Sequence, residues 1–188
     1  MTGKRSAERR SGDRAGGTRR SEILESAASL IASSGLRTSL QDIADAAGIL
    51  PGSLYHHFDS KEAILIELIR RYHADLDRIG ELAGKRPDRT RSVAERILEL
   101  GSAIARVAVQ HRAALQLTFY EPPASANQEL AELAQRQPRA VNAAMLAILR
   151  EGRDEGFLRD GLDLPTLADR TCQSMLHVGL DISWKSIR

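Results

Sequence analysis

Apolar residues recur every three or four positions along the chain from Thr18 onward. This interval places side chains on one face of an α-helix. Alternation of apolar and polar residues between turn signals, which is the pattern of a half-buried strand, does not occur over four or more residues. The pattern therefore predicts an all-α fold.

The N-terminal part is predicted to contain four helices. Gly35 is suited to ending the first helix, Ser39 and Asp42 can cap the start of the second, and Pro51 is favoured at the first position of the third. A polar, proline-containing segment after the fourth helix is predicted to be a linker. The helices are expected at about 19–34, 40–47, 51–57 and 59–82, and the linker at 84–89.

A larger helical unit is predicted after the linker. Its first helix has apolar residues from Val93 to Val107 and is expected to extend or kink towards Tyr120. Two more helices follow at about 139–152 and 164–184, and both have wide apolar stripes. Small residues on these stripes suit either a four-helix dimer interface or packing within one chain. These residues are Ala143, Ala144, Ala147 and Gly179.

Composition excludes several classes of protein. The chain has 188 residues and a net charge of +2, and its longest apolar run is too short to cross a membrane. The N-terminal residues do not resemble a secretory signal, and the one cysteine, Cys172, cannot form a disulfide within the chain. Cys172 lies on an apolar stripe and is expected to pack as a small hydrophobic residue. Together these features predict a cytoplasmic protein without membrane partners.

The small net charge hides an uneven distribution. Residues 1–20 contain seven basic and two acidic side chains, whereas the remainder is slightly acidic. Residues 1–17 contain almost no apolar side chains and are therefore predicted to form a disordered basic arm. Such an arm is either a solvated tail or a segment that adds phosphate contacts on nucleic acid. Charge alone does not decide between these two roles.

Residues 39–58 have the organisation of a helix-turn-helix reader of DNA. Two short helices flank a turn that contains Gly48, and the second helix ends in polar and aromatic residues. Packing of the apolar face would leave Ser53, Tyr55, His56 and His57 free to meet the major groove. A helical hairpin that merely packs against the first helix would show the same periodicity. The predicted buried face consists of Leu40, Ile43, Ala44, Ala47, Leu54 and Phe58.

The segment Gly52-Ser53-Leu54-Tyr55-His56-His57-Phe58-Asp59-Ser60-Lys61-Glu62 makes this interpretation specific. It resembles the DNA-binding domain of the TetR family of bacterial transcriptional regulators, and the resemblance extends over about residues 19–69. It implies an all-α homodimer with a three-helix DNA-binding domain at 18–65. It further implies a helical domain at 66–188 that dimerises and binds an effector, whose binding releases double-stranded operator DNA.

The resemblance also implies which residues meet DNA. One departure from the family pattern is Leu50, which stands where Ser or Thr usually caps the recognition helix, a loss of about 1 kcal/mol. By resemblance, Thr38 and Ser39 meet phosphate, His57 and Lys61 grip the backbone, and five residues face the groove. The groove-facing residues are Pro51, Gly52, Ser53, Tyr55 and His56.

The effector is less well defined by the sequence. Residues 49–62 are similar to TetR regulators of steroid-ring breakdown in actinobacteria that respond to acyl-CoA thioesters, but this similarity lies in the DNA-binding half and says little about the ligand. A hydrophobic or acyl-CoA-like small molecule is one candidate effector. A mainly aliphatic pocket is expected, because aromatic residues make up only 4% of the chain. Candidate lining residues are Phe119, Tyr120, Met145 and Met175.

No catalytic, metal-binding or cofactor-binding residues are predicted. His56 and His57 are adjacent and point about 100° apart on a helix, so they converge poorly on one metal ion. Phosphate-binding, dinucleotide-binding and nucleophile-elbow glycine motifs are absent from the sequence. The alternative to a DNA-binding regulator is a helical ligand-binding protein, or an enzyme, that keeps the fold without binding DNA.

Overall fold

A computed structural model describes residues 4–85, 90–119 and 127–185. These residues form nine α-helices and one 3-10 turn without a strand, so the predicted all-α class is confirmed. No helix among them is long and apolar enough to cross a membrane. The elements are α1 (Lys4–Ser34), the 3-10 turn (Gly35–Arg37), α2 (Leu40–Ala46), α3 (Pro51–Leu54), α4 (Lys61–Lys85), α5 (Val93–Gln110), α6 (Arg112–Phe119), α7 (Gln128–Gln135), α8 (Arg139–Asp154) and α9 (Leu164–Lys185).

The predicted end signals of the first two helices are confirmed. Gly35 and Gly48 follow α1 and α2 with φ angles of +66° and +63°, a conformation that favours glycine. At the start of α2, Ser39 Oγ accepts from the Asp42 N–H at 3.1 Å, and the Ser39 N–H donates to Asp42 Oδ2 at 2.8 Å. Hydrogen bonds from the Ser39 backbone and hydroxyl lower the pKa of Asp42. The start of α2 is thus fixed by local hydrogen bonds.

The N-terminal unit has its own buried face. α2 packs against α1 and α3, and α4 also packs against α1. Ile43, Ala44, Leu54 and Phe58 are buried at these contacts, as the sequence predicts. Leu40 and Ala47, which are also predicted there, are only half-buried against the core. The unit therefore holds the short α3 by apolar packing on its inner side.

Helix α4 belongs to both halves of the chain. It packs with α1 in the N-terminal unit and with α5 and α8 in the C-terminal part. α9 then packs against α5 and α8 to complete the C-terminal bundle. The predicted domain boundary after residue 65 consequently lies inside one continuous helix.

A second connection between the halves passes through α6. Helix α5 is expected either to extend or to kink towards Tyr120, and the structure shows a break at His111, where φ of −108° and ψ of 35° end α5. α6 then packs against α1, the 3-10 turn and α4. Tyr120 itself lies outside the described residues.

Helix α7 is not predicted by the sequence analysis. Asn127 caps its start by accepting from the Leu130 N–H at 3.2 Å, and Leu130 and Ala134 are buried. The available signal is Asn127 followed by apolar residues at three- and four-residue intervals. That signal is weak because the helix is only eight residues long.

The first helix begins earlier than the sequence predicts. α1 begins at Lys4, so helical backbone includes most of the segment 1–17 and starts well before residue 19. Adding residues to an existing helix avoids the cost of nucleation, and Arg, Lys, Ala and Glu are good helix formers. The disorder of residues 1–17 stays a prediction, and the structure gives helical backbone from Lys4 onward. Most of the predicted linker, residues 86–89, lies outside the described residues.

Cys172 packs as predicted. Its side chain is buried on α9, with Sγ 3.8 Å from the carbonyl oxygen of Val141 on α8. Burial and the nearby Asp169 carboxylate raise the pKa of the thiol to about 12. A thiol in this environment stays protonated at neutral pH and is a weak nucleophile.

Candidate nucleic-acid interface

The candidate reading helix, α3, is short and begins with proline. Pro51 occupies its first turn, and Leu50 at the capping position gives no side-chain hydrogen bond, as its residue type predicts. The helix ends at Leu54, and a turn carries the chain to Phe58, so α3 is shorter than the predicted 51–57. The side chains of Leu54 and Phe58 are buried and hold this segment against the rest of the N-terminal unit.

Four of the predicted groove-facing residues are exposed together on this segment. Gly52, Ser53 and His56 are exposed, and the Tyr55 side chain is 55% exposed. Pro51 is half-buried. Since hydroxyl and imidazole groups donate and accept hydrogen bonds, Ser53, Tyr55 and His56 give this surface polar groups for base edges or phosphates.

Ser39 and Lys61 lie at the ends of neighbouring helices. Ser39 is exposed at the start of α2, where its hydroxyl also donates to Asp42 Oδ2 at 2.7 Å. Lys61 is half-buried at the start of α4, and its Nζ donates to the carbonyl oxygen of Leu36 in the 3-10 turn. The Lys61 ammonium therefore ties α4 to the turn that precedes α2.

Thr38 lies away from the exposed group. Its side chain is only 4% exposed, and Oγ1 donates to the carbonyl oxygen of Gly35 at 3.0 Å. This bond closes the turn between α1 and α2. In this geometry Thr38 stabilises the turn, and its hydroxyl is not presented to phosphate as the family resemblance implies.

The structural role of Arg20 is not predicted from the sequence, in which Arg20 is only one of the basic residues near the N-terminus. Its Nη1 donates to the carbonyl oxygen of His57, and its guanidinium lies 4.0 Å from the centre of the Phe58 ring. Nη2 is also 3.8 Å from Glu67 Oε2 on α4. Arg20 thus joins α1 to the turn after α3 and to α4.

The histidines near α3 do not form a metal site with their described neighbours. Among the described residues, no group of three or more His, Cys, Asp or Glu side chains is placed to hold a metal ion. His57 is half-buried, and its carbonyl is the group that Arg20 engages. The arrangement is that of a helix-turn-helix DNA-binding protein.

Comparison with known proteins agrees with this class. Residues 23–68 match the family model described as "Bacterial regulatory proteins, tetR family". The HTH-type transcriptional repressor KstR2 of Mycobacterium tuberculosis is 37% identical over 150 residues, which cover 78% of this chain and 72% of the repressor. The chain therefore belongs to the TetR family of bacterial transcriptional regulators.

Two further comparisons support the same conclusion. The KstR2 repressor of Rhodococcus jostii is 61% identical over 59 residues, which are 31% of this chain and 29% of that protein. A solved structure described as the ketosteroid transcriptional regulator KstR2 of M. tuberculosis superposes with a TM-score of 0.69 at 29% identity. It covers 90% of this chain and 91% of that one. The resemblance inferred from residues 52–62 is thus confirmed.

Proposed function

We propose that this transcriptional regulator is a cytoplasmic repressor that binds a near-palindromic operator as a homodimer and is released by a small-molecule effector. α3 would enter the major groove, with Gly52, Ser53, Tyr55 and His56 facing the bases. The observation that carries the proposal is the exposure of Tyr55 and its polar neighbours on residues 51–58, the reading segment, whose inner side is fixed by buried Leu54 and Phe58. The small Gly52 lets a duplex approach this surface closely.

Ser39 and Lys61 would contact the sugar-phosphate backbone. The exposed start of α2 offers helix N–H groups together with the Ser39 hydroxyl. Lys61 would reach phosphate while retaining or exchanging its bond to Leu36. Thr38 is omitted from the proposed contacts because its hydroxyl is buried, and Pro51 and His57 would help mainly by positioning the exposed residues.

Dimerisation is proposed to use α8 and α9. Ala143 and Ala147 are exposed on α8, and Val178 on α9 is 47% exposed. Ala144 and Gly179, in contrast, are buried within one chain. The burial of Ala144 and Gly179 supports packing within one chain for these two residues, and the exposure of Ala143 and Ala147 supports a self-complementary dimer face.

Effector release would act through α4. This helix begins at Lys61, beside the reading segment, and continues into the C-terminal bundle. A ligand that binds the bundle unequally in two positions of α4 would change the placement of α3 in each protomer. Since the two reading helices must fit successive major grooves, a small change in their separation would weaken operator binding.

Replacing Tyr55 with alanine tests the proposal. Loss of an exposed aromatic group at the groove should weaken operator affinity about 10- to 100-fold, which corresponds to about 1–3 kcal/mol. The measurement is a fluorescence anisotropy titration with labelled DNA from the region beside the protein's own gene, at fixed salt. Thermal unfolding should change little, because the side chain is exposed.

Phe157→Ala is the matched control for this experiment. Phe157 is an aromatic residue that is 56% exposed and lies outside the N-terminal unit, so its removal should leave operator affinity within about twofold. Equal affinities of wild type and Tyr55→Ala would contradict the proposed reading surface. If the wild type binds this DNA no better than unrelated duplexes, the alternative of a helical ligand-binding protein that does not read DNA is favoured.

The basic segment at the N-terminus gives a second test. Residues 1–17 contain five basic side chains, Lys4, Arg5, Arg9, Arg10 and Arg14. Replacing all five with glutamine keeps the length of α1, and it should flatten the slope of log affinity against log salt by about 1 for each phosphate that these side chains neutralise. An unchanged slope would mean that the segment is only a solvated extension.

A further inference from the structure

A surface cleft runs between α4 and α5 in the C-terminal bundle. It consists of two adjoining depressions of about 340 and 430 Å³, which share Ile79, Leu82, Ala103 and Arg106 as lining residues. Leu82 is 60% exposed there. Leu100 and Ile148 extend the apolar lining at one end. The volumes fall within the range of about 300–1,000 Å³ that is typical of small-molecule sites.

Most charged groups that line the cleft are already engaged by protein partners. Arg91 binds Glu99 at 2.7 Å, and Arg96 Nη1 binds Glu151 at 2.5 Å. Asp75 Oδ2 lies 2.7 Å from His111 Nε2. Both acidic residues in the lining, Asp75 and Glu99, therefore already have a protein partner.

Arg78 and Arg106 are the exceptions. Both are exposed, both line the cleft, and neither has an ion pair or hydrogen bond with any residue in the described ranges. One comes from α4 and the other from α5. The cleft therefore combines an apolar floor with two guanidinium groups that make no ion pair or hydrogen bond in the described part of the chain, one on each wall.

We propose that this cleft binds an amphipathic organic anion. Its carboxylate or phosphate group would be held by Arg78 and Arg106, because guanidinium pairs in a fork geometry with either group. Its apolar body would cover Ile79, Leu82 and Ala103, which removes exposed apolar surface from water. The assignment of the effector to this cleft rests on the proposed function, and it gives the chemical class of that effector.

The position of the cleft suits a regulatory ligand. One wall is α4, the helix that starts beside the reading segment, and the other is α5, which packs against α9. An anion bridging Arg78 and Arg106 would favour one spacing of the two helices. The effector residues suggested by the sequence are placed differently, since Met145 is buried in the core and Phe119 lies against the ring of His177.

Isothermal titration calorimetry of the full chain with octanoate, octyl phosphate and neutral 1-octanol tests the proposal. Octanoate and octyl phosphate should each bind at least tenfold more tightly than 1-octanol, and the stronger of the two identifies the preferred head group. The double variant Arg78→Ala/Arg106→Ala should lose at least tenfold in affinity for both anions. Arg159→Ala removes an exposed arginine outside the cleft and should bind like wild type.

Three results would overturn the inference: equal binding of anions and 1-octanol, unchanged binding by the double variant, or no binding of either anion at 10 mM. A fourth would be a change of oligomeric state by light scattering in the double variant without loss of anion binding, since the cleft would then be a contact between chains. Leu82→Asp, at an exposed position, should also weaken both anions at least tenfold.

Operator titration of the wild type without any amphiphile separates this inference from the proposed function. Anion binding without operator binding would keep the cleft as a ligand site and reject the repressor. Operator binding without anion binding would keep the repressor and reject the cleft as a ligand site. When both occur, added octanoate or octyl phosphate should lower operator affinity at least threefold in wild type.

Discussion

Replacing Gly80 with alanine is expected to destabilise the fold by about 2–3 kcal/mol. Gly80 lies where α4 crosses α8, and a Cβ at this position would be 2.5 Å from the backbone nitrogen of Val141 and 2.7 Å from the Ala140 carbonyl oxygen. Side-chain rotation cannot relieve this clash, because the neighbouring atoms belong to the backbone. α4 and α8 would have to separate, which would loosen the buried contacts of Leu76 and Val141.

Gly84→Ala in the same helix is the matched control. Nothing lies within 4 Å of a Cβ at Gly84, and the residue is exposed near the end of α4. Alanine there should stabilise the protein by about 0.5 kcal/mol, because it costs less conformational entropy in a helix. Urea unfolding at one fixed protein concentration measures both variants, and equal midpoints would contradict the close approach of α4 and α8.

The elements that the sequence predicts well are those whose signals are local. The cap of α2 depends on Ser39 and Asp42, which are three residues apart, and the breaks at Gly35 and Gly48 depend on single residues. The buried face of the N-terminal unit follows from helical periodicity. These features could be predicted because the interacting groups are close together along the chain.

The side-chain contacts that the sequence does not predict join residues that are far apart along the chain. Lys61 is recognisable as a cation at a helix start, but its partner, Leu36, is 25 residues away. Thr38 is a polar residue in a turn, and its burial depends on the tertiary packing around the turn. The charge pairing of the α4–α5 cleft likewise joins residues such as Arg96 and Glu151, which are 55 residues apart. Periodicity carries no information about such pairs.

Arg20 is a case in which contacts between residues distant along the chain support the proposed DNA-binding surface. Its three partners, His57, Phe58 and Glu67, all lie in or after the reading segment. A charged hydrogen bond to a carbonyl and a cation–π contact each contribute about 1 kcal/mol or more when partly buried. Arg20 therefore acts as a positioning residue that holds the turn after α3, whereas the exposed Arg19 pairs with Glu22 of its own helix.

Arg20→Ala should reduce operator affinity about 10- to 100-fold, with an unchanged slope of log affinity against log salt, because the variant misplaces α3 without removing a phosphate contact. Arg20→Lys should remain impaired, since an ammonium group lacks the planar surface that lies over Phe58. Arg19→Ala, the neighbouring control, should bind within about threefold of wild type. Anisotropy titrations at several salt concentrations distinguish positioning from direct contact: a slope lower by about 1 in Arg20→Ala, together with rescue by lysine, would assign Arg20 to phosphate instead.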